Sequence, residues 1–158
     1  MIQIILEERV EISKKIAEEL IEKIGVQAKV EGYIKEGAIY IEVKTDQEGI
    51  LIGKEGNVLD CLQFLINRMV NKRLMEEIKI YLDINKYKAK KVERLSKMAL
   101  QLGKKVKKTG KSILIGPYNP HDRRVIHLAL KNDPSLKTES LGEGELKRIK
   151  IIPTGKSL

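Results

Sequence analysis

Apolar positions change period several times along the chain, and each change marks an element. Between Glu7 and Lys23 they recur at Ile12, Ile16, Leu20 and Ile21, with Ile24 just beyond, the spacing of one helix face, and Gly25 supplies a stop. Over Gln27–Ile34 and Ala38–Lys44 the period falls to two (Ala28, Val30; Ile39, Ile41, Val43). That predicts two antiparallel strands around Lys35-Glu36-Gly37. Gly49 to Gly56 is too glycine-rich to be regular throughout. A second helix is expected from about Asn57 to Arg73, with Val58, Leu62, Leu65, Ile66, Met69 and Val70 on one side. A third strand follows over Ile78–Ile84.

The second half has its own pattern. Val92, Leu95, Ala99, Leu102 and Val106 step by three and four, an apolar seam on a long helix whose other faces are lysine, ended by Thr109-Gly110. Ser112–Ile115 reads as a short strand closed by Gly116-Pro117. Asn119-Pro120 joins a capping side chain to a residue suited to the first helical position, so a helix is expected to about Lys131, before Asn132-Asp133-Pro134. Leu136–Leu141 and Leu146–Ile152 make two final strands joined through Gly142-Glu143-Gly144. Both halves are α+β, helices laid on a small sheet. The expected domains are 1–85 and 86–153, with a tail at 154–158.

Composition narrows the class. The 158 residues suffice for two small cores, and an apolar fraction of 42% excludes a disordered chain despite 34% charged residues. Cys61 stands alone, which excludes an internal disulfide or cysteine-based zinc cluster and fits a reducing cytosol. It is expected as a small buried core residue. No apolar run approaches the ~20 residues that span a bilayer. The Met1-Ile2-Gln3 start, with Glu7 and Glu8 behind it, lacks the basic region of a secretion signal. A cytoplasmic protein without membrane insertion is the expectation.

The net charge of +9 is unevenly spread. Residues 1–85 carry −4, residues 86–111 carry +10 with Glu93 their only acid, and residues 112–158 carry +3. A polyanion is therefore the leading partner, and the long lysine-rich helix its leading contact. An ordinary solvated helix mixes glutamate with lysine; this one does not.

Two motifs sharpen the partner. Gly53-Lys54-Glu55-Gly56 precedes an apolar helix. Glycines there let a sugar-phosphate strand approach the backbone, the helix N-terminus faces the phosphates, and Lys54 adds charge. With Ile50-Leu51-Ile52 before it and Val58-Leu59-Asp60-Cys61-Leu62-Gln63 after it, the stretch over about residues 5–85 resembles a bacterial-type (type II) KH domain. Such domains clamp about four single-stranded nucleotides with this loop. Glu55 departs from the pattern, since a carboxylate repels a phosphate path.

The second motif is Arg123-Arg124-Val125-Ile126-His127. Arg123 and His127, four apart, share a helix face with Lys131 one turn on, and a guanidinium can grip a phosphate through two donors beside an imidazole. The frame Pro117-Tyr118-Asn119-Pro120-His121-Asp122, with Thr138-Glu139-Ser140-Leu141-Gly142-Glu143-Gly144 downstream, closely resembles the domain named for Arg, three residues, His (the R-three-H domain). The match covers roughly residues 86–153 and implies a second single-stranded nucleic-acid site. KH followed by this domain is the arrangement of the bacterial Jag (KhpB/EloR) family. The resemblance implies cytoplasmic RNA binding, a small single-KH partner protein, and a role in cell elongation and envelope homeostasis. The family commonly adds an N-terminal Jag domain, which this chain is expected to lack.

The expected interface is Gly53, Lys54 and Gly56 at the loop, Arg123, Arg124 and His127 at the second site, and Lys88, Lys91, Lys104, Lys107 and Lys108 steering the path. His127, with an unperturbed pKa of ~6.5, would strengthen its contact when protonated. Single-stranded RNA is the expected ligand, with single-stranded DNA not distinguished from it. No cofactor or metal is expected: His121 and His127 lie six apart on different helix faces. The Gly-Lys-Ser strings at Gly110 and Gly155 lack the earlier P-loop glycine, whose places hold Lys105 and Lys150. No catalytic constellation emerges. Two other readings stand beside RNA binding: a protein–protein adaptor or homodimer built on the KH half, and, more weakly, membrane-surface binding by the lysine helix, whose seam lacks Trp or Phe.

Overall fold

The computed structural model describes residues 1–155, leaving aside the side chains of residues 2–4; of the expected tail, residues 156–158 lie outside the described residues. The chain divides into two compact units, one ending at Lys88 and one beginning at Ala89.

In the first unit the elements are α1 (Ile2–Ile24), β1 (Lys29–Lys35), β2 (Ala38–Lys44), α2 (Glu48–Ile52), a single 3-10 turn at Lys54–Gly56, α3 (Asn57–Leu74) and β3 (Ile80–Ile84). Gly25 ends α1 with φ 87°, its N–H returning to the carbonyls of Glu22 and Ile21. β1 and β2 are antiparallel, closed by Lys35 opposite Ala38, and β3 joins β2 in parallel. Alternation sends Val30, Ile39, Ile41, Val43, Ile80, Leu82 and Ile84 to one face. There they meet Val10, Ala17 and Ile21 of α1 and Leu59, Leu62, Ile66 and Val70 of α3. Burying each of these side chains contributes about 1.5–3 kcal/mol. The glycine-rich segment is more regular than its composition suggested: Leu51 and Ile52 are buried, so α2 forms to carry them inward. β3 starts two residues later than expected because the Ile78 N–H donates to the Asn71 side chain (2.9 Å). Cys61 corrects the sequence reading, for it is exposed. The buried phase of α3 runs through Leu59, Leu62, Ile66 and Val70, which turns Cys61 outward and leaves Val58, Leu65 and Met69 well exposed.

The second unit contains most of α4 (Tyr87–Thr109), then β4 (Ile113–Tyr118), α5 (Pro120–Leu130), β5 (Leu136–Leu141) and β6 (Lys147–Pro153). Its antiparallel sheet has the order β4-β6-β5. Leu95, Ala99 and Val106 of α4 pack with Ile126, Leu130, Leu136, Ile149 and Ile151. Gly103 completes that face: a Cβ there would lie 2.8 Å from Leu136 and 2.9 Å from Leu130, so only glycine lets α4 come this close. Both units are α+β. Among the described residues no helix is long and apolar enough to cross a membrane.

Candidate nucleic-acid interface

The loop ahead of α3 is built from left-handed residues. Gly53 (φ 69°), Glu55 (φ 53°) and Gly56 (φ 85°) turn the chain so that α3 starts at Asn57 with its first amides facing the loop, a setting that favours anions. Lys54 and Glu55 are exposed. The glycines are first of all requirements of the turn itself. A Cβ on Gly56 would sit 2.9 Å from the Tyr87 ring, and one on Gly53 would overlap Val58. Gly56 is buried beneath Tyr87, which corrects the expectation that both glycines open the backbone to an incoming strand. Asn85 anchors the approach to α2. Its Nδ2 donates to the Thr45 carbonyl and to Glu48 Oε2 (2.6 Å each), while its Oδ1 accepts from the Thr45 N–H (3.1 Å).

In the second unit the Asn119 side chain caps α5, accepting from the Asp122 N–H at 2.8 Å, and Pro120 takes the first position. This sets Arg123 and His127 on one face, while Arg124, one residue on, points elsewhere and is exposed. Arg123 Nη2 donates to the Glu145 carbonyl (3.2 Å) between β5 and β6, and Arg123 Nε is buried without a hydrogen-bond partner. A buried donor left so costs about 1–3 kcal/mol. His127 Nδ1 lies 2.5 Å from Thr138 Oγ1 and Nε2 3.2 Å from Ser140 Oγ. Burial, and then the Arg123 charge, lower the His127 pKa below its ordinary value. The ring is therefore neutral at pH 7 and clasped by two β5 hydroxyls. It braces α5 against β5, where the sequence suggested a cationic phosphate ligand. Thr138 and Ser140 were not singled out for the site, although their spacing of two on a strand whose Leu136 is buried turns both toward α5.

The lysines of α4 divide sharply. Lys91 Nζ pairs with Asp122 Oδ2 at 2.9 Å, their side chains only 12% and 7% exposed, so Lys91 is an internal tie between α4 and α5. Lys88 Nζ donates to Gln63 Oε1 (2.9 Å), and burial pulls its pKa down. Lys107 is bound to Asp133 at 2.6 Å. These three lysines have protein partners in the structure, where the sequence reading treated them as open steering charges. Lys104 and Lys108, one turn apart, are exposed. Helical geometry puts them on a stripe with Lys90, Arg94, Lys97 and Lys105, which the sequence reading had not separated from the rest. Lys97 is held by Glu93 (2.7 Å), and Lys90, Arg94, Lys97, Met98 and Gln101 line a shallow groove of about 430 Å³. Among the described residues no group of three or more His, Cys, Asp or Glu could hold a metal ion.

Comparison with known proteins gives two family matches, the KhpA/KhpB KH domain over residues 11–84 and the R-three-H domain over residues 93–153. The chain is similar to the RNA-binding protein KhpB of Clostridium symbiosum, 38% identical over 128 residues covering 81% of this chain and 58% of that protein. It is also similar to the RNA-binding protein KhpB of Bacillus subtilis (33% over 108 residues, 67% of this chain and 52% of that protein) and of Lactiplantibacillus plantarum (26% over 123 residues, 78% and 38%). This chain thus spans between 38% and 58% of the length of these relatives.

Proposed function

Because the chain belongs to the KhpB family, with its KH and R-three-H domains, we propose that it binds single-stranded RNA through backbone phosphates, loosely as to sequence. The observation that carries this reading is Arg123: a guanidinium anchored at one nitrogen, with a second, buried N–H that has no acceptor. A phosphate that draws the guanidinium outward satisfies that N–H, which is closed to solvent in the resting conformation. Lys104 and Lys108, with Lys90, Arg94 and Lys105, extend the attraction along α4, and Lys54 with the first amides of α3 supplies a separate contact at the loop. The base-stacking share is small, because the chain has no Trp and aromatic residues make up only 4% of it, so affinity rests on counterion release. On this reading the protein is a cytoplasmic RNA chaperone or post-transcriptional regulator that catalyses no reaction, with cell elongation and envelope homeostasis as the processes it serves.

The test is a titration of a fluorescein-labelled 12-nucleotide oligouridylate at salt from about 50 to 200 mM. Affinity is expected to fall by more than one decade over that range, and Arg123→Gln to lose about ten-fold at fixed salt with the fold intact. A flat salt response, or an Arg123→Gln variant that binds like the parent, refutes the reading.

One observation favours a second, compatible role. Val58, Leu65 and Met69 are 37%, 42% and 40% exposed along one stripe of α3, an apolar strip suited to another protein, either a small single-KH partner or a second copy, and Phe64 (69% exposed) lies about 100° round the helix from it. Sedimentation with and without RNA distinguishes assembly from RNA-driven association.

A further inference from the structure

The two edges of the first sheet are treated differently. At β3 the outer N–H of Leu82 donates to Gln63 Oε1 (2.9 Å), so a side chain of α3 covers that edge. At β1 no side chain among the described residues does this. Glu36 (φ 51°) and Gly37 (φ 77°) form a two-residue turn, and Lys35 opposite Ala38 closes it as a hydrogen-bonded pair. Alternation then commits the backbone groups of Lys29, Glu31, Tyr33 and Lys35 to β2, while those of Val30, Gly32 and Ile34 point outward along the free edge. Beside this edge runs a groove of about 770 Å³ lined by Leu6, Glu7, Val10 and Glu11 of α1 with Gly32, Tyr33 and Ile34 of β1. Its ionisable rim is acidic, and the N-terminal half of the chain carries −4. On the opposite face Tyr33 begins a row of stacked rings, 5.4 Å to Tyr40 and 5.0 Å from Tyr40 to Tyr81.

We propose that the free edge of β1 receives an extended basic segment of a partner protein as an added strand. Its backbone pairs with Val30, Gly32 and Ile34. Arginine or lysine opposite Gly32 and Ile34 lays its stem over Leu6 and Val10 and brings its charge to Glu7 and Glu11. An aromatic residue opposite Tyr33 continues the ring row. A second copy of this chain fits worse. Antiparallel self-pairing about Gly32 sets Lys29 against Lys35 twice, and like charges directly opposite are destabilising.

The probe is a fluorescein-labelled pentapeptide amide of alternating tyrosine and arginine, compared with one of tyrosine and glutamate. The basic peptide is expected to bind at least ten-fold tighter than the acidic one. It should slow amide exchange at Val30, Gly32 and Ile34 at least ten-fold, while Lys29 and Glu31, already bonded to β2, change little. The Glu7→Lys, Glu11→Lys double variant, checked by circular dichroism, should lose ten-fold or more; the parent's exchange pattern decides the matter even where the variant misfolds. Equal binding of both peptides, no binding, or binding without slowed exchange at those three amides overturns the proposal. So does slowed exchange that grows with protein concentration and no peptide, because a second copy then occupies the edge.

Discussion

Replacing Lys91 by Met separates the two roles a lysine on α4 can play. The Lys91–Asp122 pair is short and largely out of water, so Lys91→Met leaves a buried carboxylate with only the His121 imidazole near it (3.6 Å), a loss of about 3–5 kcal/mol. The unit that holds the pair has about 70 residues, for which a total stability of roughly 3.5–10 kcal/mol is ordinary. The variant should therefore leave this unit barely folded. Amide exchange of Ile126, Ile149 and Ile151, fully buried at its core, reads the effect directly: opening should become roughly two to three and a half decades more frequent. Removing both charges, as Lys91→Met with Asp122→Leu, should restore most of the loss, since a buried pair is often matched by apolar residues of similar size. Lys104→Met, on the exposed side, should stay within about 0.5 kcal/mol of the parent. A Lys91→Met protein whose core amides exchange as the parent's do refutes the internal-tie reading.

Other outcomes follow from the same geometry. Removing Lys104 and Lys108 together should flatten the salt dependence of RNA binding by about 1.4 units of slope, at ~0.7 per phosphate contact on a single strand, whereas Lys107→Ala, already paired with Asp133, should change it less. His127 binds its proton more weakly in the folded chain than at its unperturbed pKa of ~6.5, so the unfolded chain takes up more protons. Stability from this group is therefore present above about pH 6.5 and declines as pH falls below it; urea midpoints between pH 5 and 8 should show this, and His127→Gln should remove that component. Gly56→Ala meets both a positive φ and the Tyr87 ring, and should lower stability by about 1–3 kcal/mol in thermal melts. Asn119→Ala should cost about 1 kcal/mol through the lost cap on α5.

Much of the fold was legible because period and stop signals agreed. Asn119-Pro120 gave the start of α5 to the residue, and the alternation over Ala38–Lys44 gave the whole of β2. Where the reading of single side chains failed, charge had been allowed to outrank phase. Continued backward from Leu95 by four and three, the seam of α4 falls on Lys91 and then Lys88, the two lysines whose amines find internal partners. Gly103 carried no apolar weight, yet it lies in the seam because two leucines press on it. Cys61 was placed by residue type, and the phase of Leu59, Leu62 and Ile66 already excluded it from the core. The clasp of Thr138 and Ser140 on His127 depends on β5 lying beside α5, a pairing across eleven and thirteen residues that no local pattern specifies.

The row formed by Tyr33, Tyr40 and Tyr81 also gives the protein an optical signature. With no Trp and five Tyr, four of them before residue 88, the near-ultraviolet signal arises mainly from the first unit, and three of its chromophores lie face to face. Such stacked phenols couple, so the circular dichroism band near 280 nm reports whether β1, β2 and β3 are in register. Tyr118 alone speaks for the second unit. Loss of that band therefore dates the opening of one sheet, and its persistence while backbone ellipticity falls identifies the other unit as the one that has melted.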